Sequence, residues 1–287
     1  MRRGYLELLR PANVVTALAD VLAGYAVAGR GSPGALPGLL VATACLYAGG
    51  IVLNDVFDRR IDAVERPERP IPSGRVSARA AGALGGALLA FGVLAASFVN
   101  LTATLLAASI AAAVLVYDGL SKRWPVLGPI NMGMCRALNL LLGVAAVPAV
   151  LALRWPIAAV PLVYITAVTV LSRGEVRGGK RATALVALTL VVGVLIALAA
   201  ISLRPAEPSG AALLLTLLVS WRVVPPFWQA YQRGDAPRIR RAVRAGVLSL
   251  VLVDAVIGAA YADMIYSLAI LATAVLAAAL ARLFPVT

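Results

Sequence analysis

The chain has 287 residues, a mean hydropathy of +0.92 and a formal net charge of +13, with 14% charged residues and no histidine. Apolar runs of about 18 residues or more recur along its whole length, which excludes an ordinary soluble domain and reads as a polytopic helical membrane protein. The basic residues sit in alternate loops, so the charge reads as topology and not as a nucleic-acid surface. The lack of histidine and the two cysteines inside apolar runs (Cys45 and Cys135) argue against zinc, haem or a disulfide.

Residues 1–13 carry Arg2, Arg3 and Arg10 and lead into an apolar run with no small-residue cleavage site, so no removable signal peptide is expected. The predicted spans are 12–29, 36–56, 78–99, 101–117, 127–151, 156–172, 182–203, 211–230, 241–260 and 264–283. That makes ten, the last pair joined only by Tyr261, Ala262 and Asp263. Of the 26 Lys and Arg, only Arg30, Arg154 and Arg204 fall in one set of loops, while Arg136 and Arg222 fall within spans. The remainder belong to the N-terminus, to the loops at 57–77, 118–126, 173–181 and 231–240 with their flanks, and to the C-terminus if there are ten spans, a set the positive-inside rule makes cytoplasmic. The polar motifs therefore converge on one membrane face.

The most charged stretch, 54–75, reads NDVFDRRIDAVERPERPIPSGR. Asn54, Asp58 and Asp62 are spaced i, i+4, i+8, so a continuing helix stacks them on one face. An amide oxygen and two carboxylates suit a hard cation such as Mg²⁺. Arg59, Arg60, Arg66 and Arg69 lie close by, and divalent metal with arginine is the chemistry of a diphosphate. The plain alternative is a solvated helix end. Against it, Asn54 and Asp55 stand at the end of an apolar span, where unneeded polarity is costly.

This stretch resembles the first aspartate-rich motif of the UbiA superfamily of intramembrane prenyltransferases, N-D-x-x-D-x-x-x-D followed by an R-P-x-P-S-G-like turn. Leu9-Arg10-Pro11-Ala12-Asn13 looks like the family's opening, and Tyr117 with Lys122 and Arg123 falls where the family carries a Tyr and a Lys. The resemblance covers essentially the whole chain, 1–287, as one transmembrane domain. It implies an all-α bundle of nine to ten helices around a central cavity open to the cytoplasmic side. It also implies an isoprenyl diphosphate as substrate, an acceptor it does not identify, and Mg²⁺ as cofactor. Carried over by position, Asn54, Asp58 and Asp62 are metal ligands, Asp58, Asp62 and Lys122 are catalytic, and Tyr117 and Lys122 contact the diphosphate; Asn13, Asp55, Arg66, Arg69, Arg136 and Arg173 complete the candidate substrate contacts from their own type and placement.

The family's second motif, D-x-x-x-D, is missing. Its place is taken by Ser172-Arg173-Gly174-Glu175-Val176-Arg177-Gly178-Gly179-Lys180, where Glu175 is the only carboxylate. Either Glu175 supplies one metal ligand, or Arg173, Arg177 and Lys180 bind diphosphate in place of a metal, or the loop is simply basic. The blocks 128–143 and 171–179 resemble the EboC-like subgroup of the Ebo gene cluster, which would place the protein in a bacterial inner membrane. Among charges inside spans, Asp20 and Arg136 fall at similar depth and are expected to pair, or Arg136 and Asn139 to line a cavity floor. Asp254 reads as structural. The basic segment Trp221–Arg244 reads as an interfacial belt. The leading function is prenyl transfer with metal-assisted departure of diphosphate. The alternatives are terpene cyclisation and a non-enzymatic lipid-binding or transport-accessory role. Membrane lipid is the expected surrounding, and neither nucleic acid nor a protein partner is expected.

Overall fold

In a computed structural model that describes residues 2–176, 178–204 and 207–283, the chain is all-helical. The helices are α1 (Arg2–Leu9), α2 (Pro11–Val27), α3 (Ala35–Glu65), α4 (Ala78–Ser97), α5 (Leu101–Gly119), α6 (Leu127–Val144), α7 (Pro148–Arg154), α8 (Ala159–Ser172), α9 (Arg181–Ser202), α10 (Gly210–Arg233), α11 (Ala236–Tyr261) and α12 (Met264–Leu283). Eight segments have the length and hydropathy to cross a membrane: α3, α4, α5, α7 with α8, α9, α10, α11 and α12. The shorter or more polar α2 and α6 bring the membrane-length helices to ten among the described residues. No strand occurs among those residues.

Two expected boundaries move. Residues 57–65, read as the start of a loop, continue α3 as helix, because nothing before Pro67 breaks it. The span at 127–151 breaks at Ala145–Val147, and Pro148 opens the short α7, which runs through a 3₁₀ turn at Trp155–Ala158 into α8. Elsewhere the ends are set by local chemistry. Ser77, Asn100, Ser209 and Asp235 accept the amide hydrogens of Ala80, Ala103, Ala212 and Arg238 and cap α4, α5, α10 and α11. Gly234 ends α10 at φ 65°, a conformation that costs glycine little.

α2 and α6 form the seam of the bundle. A β-carbon on Gly24 would lie 1.9 Å from the Leu140 carbonyl oxygen, and one on Gly143 would lie 2.2 Å from that of Val21. Only glycine lets the backbones approach so closely. On one side of this seam α3, α4 and α5 complete an apolar cluster that includes Leu39, Leu46, Leu89 and Ile110. On the other, α8 to α12 complete a larger one around Tyr164, Leu171, Leu198, Phe227 and Ile257. α1 lies across the ends of α3 and α4, burying Leu8 against Val52, Val76 and Ala81.

The three arginines at the end of the bundle away from 54–75 are accounted for locally. Arg30 pairs with Asp263, and Arg154 and Arg204 stack on Tyr261 at 5.1 and 3.9 Å.

Candidate active site

Because α3 runs unbroken to Glu65, the spacing of Asn54, Asp58 and Asp62 holds as helix geometry. The structure nevertheless divides these residues between two neighbouring clusters. In the first, Asn54 Nδ2 donates to Asp118 Oδ1 at 2.6 Å, and Lys122 Nζ donates to Asp58 Oδ1. Lys122 Nζ also lies 3.9 Å from Asp118 Oδ1, so one ammonium sits between two carboxylates from different helices. Asp118 is buried at the end of α5, and Lys122 sits in the 3₁₀ turn Ser121–Arg123 that follows. That turn is fastened twice. Asn131 on α6 donates to Ser121 Oγ at 2.9 Å, and Arg173 Nη2 donates to the carbonyls of Lys122 and Trp124 at 3.0 and 2.6 Å. Tyr117 stands half-buried among Asp58, Asp118 and Arg173.

In the second cluster, Asp62 pairs with Arg69 at 2.7 Å, and Asp55 pairs with Arg10 at 2.6 Å and with Arg69 at 3.4 Å. The turn after α3 makes this possible. Gly74, at φ 74°, and the bond from the Val76 amide to the Pro70 carbonyl fold the segment back, so that Arg69 returns to the helix it has just left. Arg75 ties the same turn to α1 through Glu7 at 2.6 Å. Arg59, Arg60 and Arg66 are exposed, and Asn13 lies in the first turn of α2 at this end of the bundle.

Sequence reasoning missed Arg10, although it stands in the Leu9–Asn13 stretch singled out above, and it gave Asp118 no firm role. The signal for Asp118 is its place directly after an apolar span, next to Tyr117 and four before Lys122.

The loop after α8 docks elsewhere. Gly179 N donates to the Gly234 carbonyl at 2.9 Å, and Arg240 Nη1 donates to the Glu175 carbonyl oxygen at 2.7 Å. Burial raises the Glu175 carboxyl above its ordinary range, and the Arg240 charge opposes that rise. The interactions described for Glu175 tie it to α11 and not to Asp58 or Asp62. Arg177 lies outside the described residues.

Deeper in the bundle the expected pair is present, with Arg136 Nε 3.1 Å from Asp20 Oδ2. Asn139 Nδ2 donates to the same oxygen at 2.9 Å and to the Ala17 carbonyl at 2.8 Å, and Thr43 donates to Asn139 Oδ1. Asp254, which the sequence reading left as structural, belongs to this group and faces Asp20 and Arg136 from α11.

Among the described residues, no three histidine, cysteine or carboxylate side chains converge to hold a metal unaided. The donors at Asn54 and Asp58 still fit a Mg²⁺-like ion, which keeps several waters and uses one or two carboxylates together with substrate phosphate oxygens. Lys122, bound to Asp58, sets a cation beside those donors, and Arg173 holds the turn that carries it.

Carboxylates, arginines and a lysine thus gather at one mouth of a polytopic membrane bundle. The sequence pattern of the UbiA prenyltransferase family matches residues 17–245, and the chain belongs to that family. It is 36% identical to the digeranylgeranylglyceryl phosphate synthase of Natronomonas pharaonis, a match covering 67% of this chain and 69% of that one. It is 41% identical to the synthase of the same name from Methanothrix thermoacetophila, over 48% of this chain and 52% of that one. The chain thus spans about half the length of several curated relatives it matches. Solved structures share the fold. A structure described as a digeranylgeranylglyceryl phosphate synthase in membranes superposes with a TM-score of 0.70 at 20% identity, covering 91% of this chain and 99% of that one. A UbiA homologue from Archaeoglobus fulgidus bound to GPP and Mg²⁺ superposes with a TM-score of 0.63 at 17% identity, covering 88% and 99%.

Proposed function

We propose that this protein transfers an isoprenyl group from an isoprenyl diphosphate to a hydroxyl-bearing lipid acceptor. The observation that carries the reading is the cluster of Asn54, Asp58, Asp118 and Lys122, with Arg173 holding its turn. Asn54 and Asp58 would hold Mg²⁺, which when bound draws negative charge from the diphosphate as it leaves. Lys122, now held by Asp58, is placed to turn to a phosphate oxygen once Asp58 is otherwise engaged. Arg69 and Arg10 keep Asp62 and Asp55 neutralised and the mouth in shape.

The relatives' name describes a glyceryl phosphate bearing two geranylgeranyl groups. It favours geranylgeranyl diphosphate as donor and a glycerol hydroxyl as acceptor. These relatives are archaeal and do not support the bacterial-membrane expectation. The Ebo-type blocks at 128–143 and 171–179 suggest a branch of the family that departs from those synthases at the second motif. By loop charge the site faces the cytoplasm.

The test is release of diphosphate from geranylgeranyl diphosphate by purified protein, with and without Mg²⁺, followed by mass spectrometry of the lipid product. Asp58→Ala is expected to abolish release while the protein still folds. A cyclised hydrocarbon or alcohol formed without acceptor replaces transfer by cyclisation. Binding without release overturns the enzymatic reading in favour of lipid binding.

A further inference from the structure

Arg136 is 5% exposed and Asp254 fully buried, yet Arg136 Nη1 and Nη2 have no hydrogen-bond partner, and the Asp254 carboxyl meets only the Asp20 carboxyl. The Arg136 guanidinium lies 5.6 Å from the centre of the Tyr47 ring, so one face is covered by an aromatic surface while its outer nitrogens stay unsatisfied. An unmet buried polar group costs on the order of 1–3 kcal/mol, so so many in one place need a reason. Charged groups inside a membrane bundle mark a ligand or a path more often than a plain strut.

Polar residues recur at helical spacing on α2, α3 and α6 between this cluster and the mouth. On α3, Thr43, Tyr47, Asn54 and Asp58 follow helical spacing, as do Asn13, Thr16 and Asp20 on α2 and Asn131, Cys135 and Asn139 on α6. From Tyr47 to Asn54 is seven residues, about two turns or roughly 10 Å. A diphosphate held at Asn54 and Asp58 would therefore direct its first prenyl carbons toward the level of Arg136.

Arg136 has unpartnered donors, and the Asp254 carboxyl has a second oxygen beyond the one it can share with Asp20. A group that accepts from the first and donates to the second satisfies both, and a hydroxyl does this with one oxygen. We propose that Arg136 and Asp254, oriented by Asp20 and Asn139, form the subsite that binds the hydroxyl of the acceptor lipid. This rests on the transferase reading above and adds the place where the acceptor's reacting oxygen is held.

The probes are 1-O-geranylgeranylglyceryl phosphate and its analogue lacking the free hydroxyl, each titrated into purified protein in detergent micelles. Wild type is expected to bind the hydroxyl-bearing probe about tenfold more tightly, as one hydrogen bond to a charged group allows. Asp254→Asn and Asp254→Ser are expected to bring that ratio toward one while affinity for geranylgeranyl diphosphate stays within about twofold of wild type. Equal binding of the two probes by wild type overturns the proposal whether or not the variants fold, and leaves the cluster to water. An unchanged ratio in folded variants, or an equal loss for the diphosphate, also overturns it and makes the cluster a support of the fold. Diphosphate release is measured separately, so failure of the transferase reading is seen as failure there.

Discussion

Replacing Gly24 by alanine puts a β-carbon 1.9 Å from the Leu140 carbonyl oxygen, where ordinary contact begins near 3.4 Å. The obstacle is backbone on a neighbouring helix, so α2 and α6 must part by about 1.5 Å. The bond from Asn139 to Asp20, 2.9 Å long on the same seam, would open to about 4.4 Å and be lost. Overpacking costs about 1–3 kcal/mol and a buried bond to a charged group about 1.5–3 kcal/mol, so a loss of roughly 3–5 kcal/mol is expected. Gly86→Ala is the matched control. Its β-carbon meets nothing within 4 Å, and its helix should gain up to about 1 kcal/mol. Thermal unfolding in detergent micelles, followed by tryptophan fluorescence, should show the same substitution lowering the melting temperature at one site and holding or raising it at the other. A Gly24→Ala protein that melts with wild type refutes the close seam.

Other predictions address the charges. Asp20→Arg and Arg136→Asp are each expected to cost about 3–5 kcal/mol singly, and the double reversal to recover part of it. If the double variant is no better folded than either single one, the pairing is wrong. Arg173→Ala frees the turn that carries Lys122 and should raise the KM for the prenyl diphosphate about tenfold with a smaller change in kcat. An unchanged KM removes Arg173 from the site. Asp235 caps α11, and its carboxylate is held below the ordinary range by the Arg238 amide and guanidinium. A lowered carboxyl pKa adds stability above the unfolded value, near pH 4, and loses it as pH falls through the folded value. Asp235→Ser keeps a capping oxygen, so an acid titration should show this loss in wild type and not in the variant.

The sequence made the site legible where one helix carried it. Asn54, Asp58 and Asp62 were readable because their spacing is a helix property and α3 does continue. What could not be read was the choice of partner. Asp62 turns to Arg69 and Asp58 to Lys122, and that depends on how a proline-rich turn and the end of α5 pack against the same helix. Arg10 was hidden for the same reason. It lies 45 positions from Asp55, and only the kink before Pro11, with Arg10 at φ 44°, aims it there. Asp20 and Arg136 were readable as a pair from depth alone. Asp254 was not, since depth says nothing about which face of α11 turns inward. The ten helices followed from hydropathy, whereas the break after Val144 carries no polar mark and came only with packing.

The glycine contact between α2 and α6 also bears on how the proposed prenyl donor would enter. Two backbones that touch have no slack to slide or spread, so these helices act as a fixed spine from mouth to core. Admission must then be the work of the flanking helices, with α3 to α5 on one side and α8 to α12 on the other yielding like two leaves on a shared hinge post. The carboxylates of the mouth ride on α3 and α5 and Arg173 reaches across from the end of α8, so under the proposed function the hold on a diphosphate and the parting of the leaves would be one mechanical event.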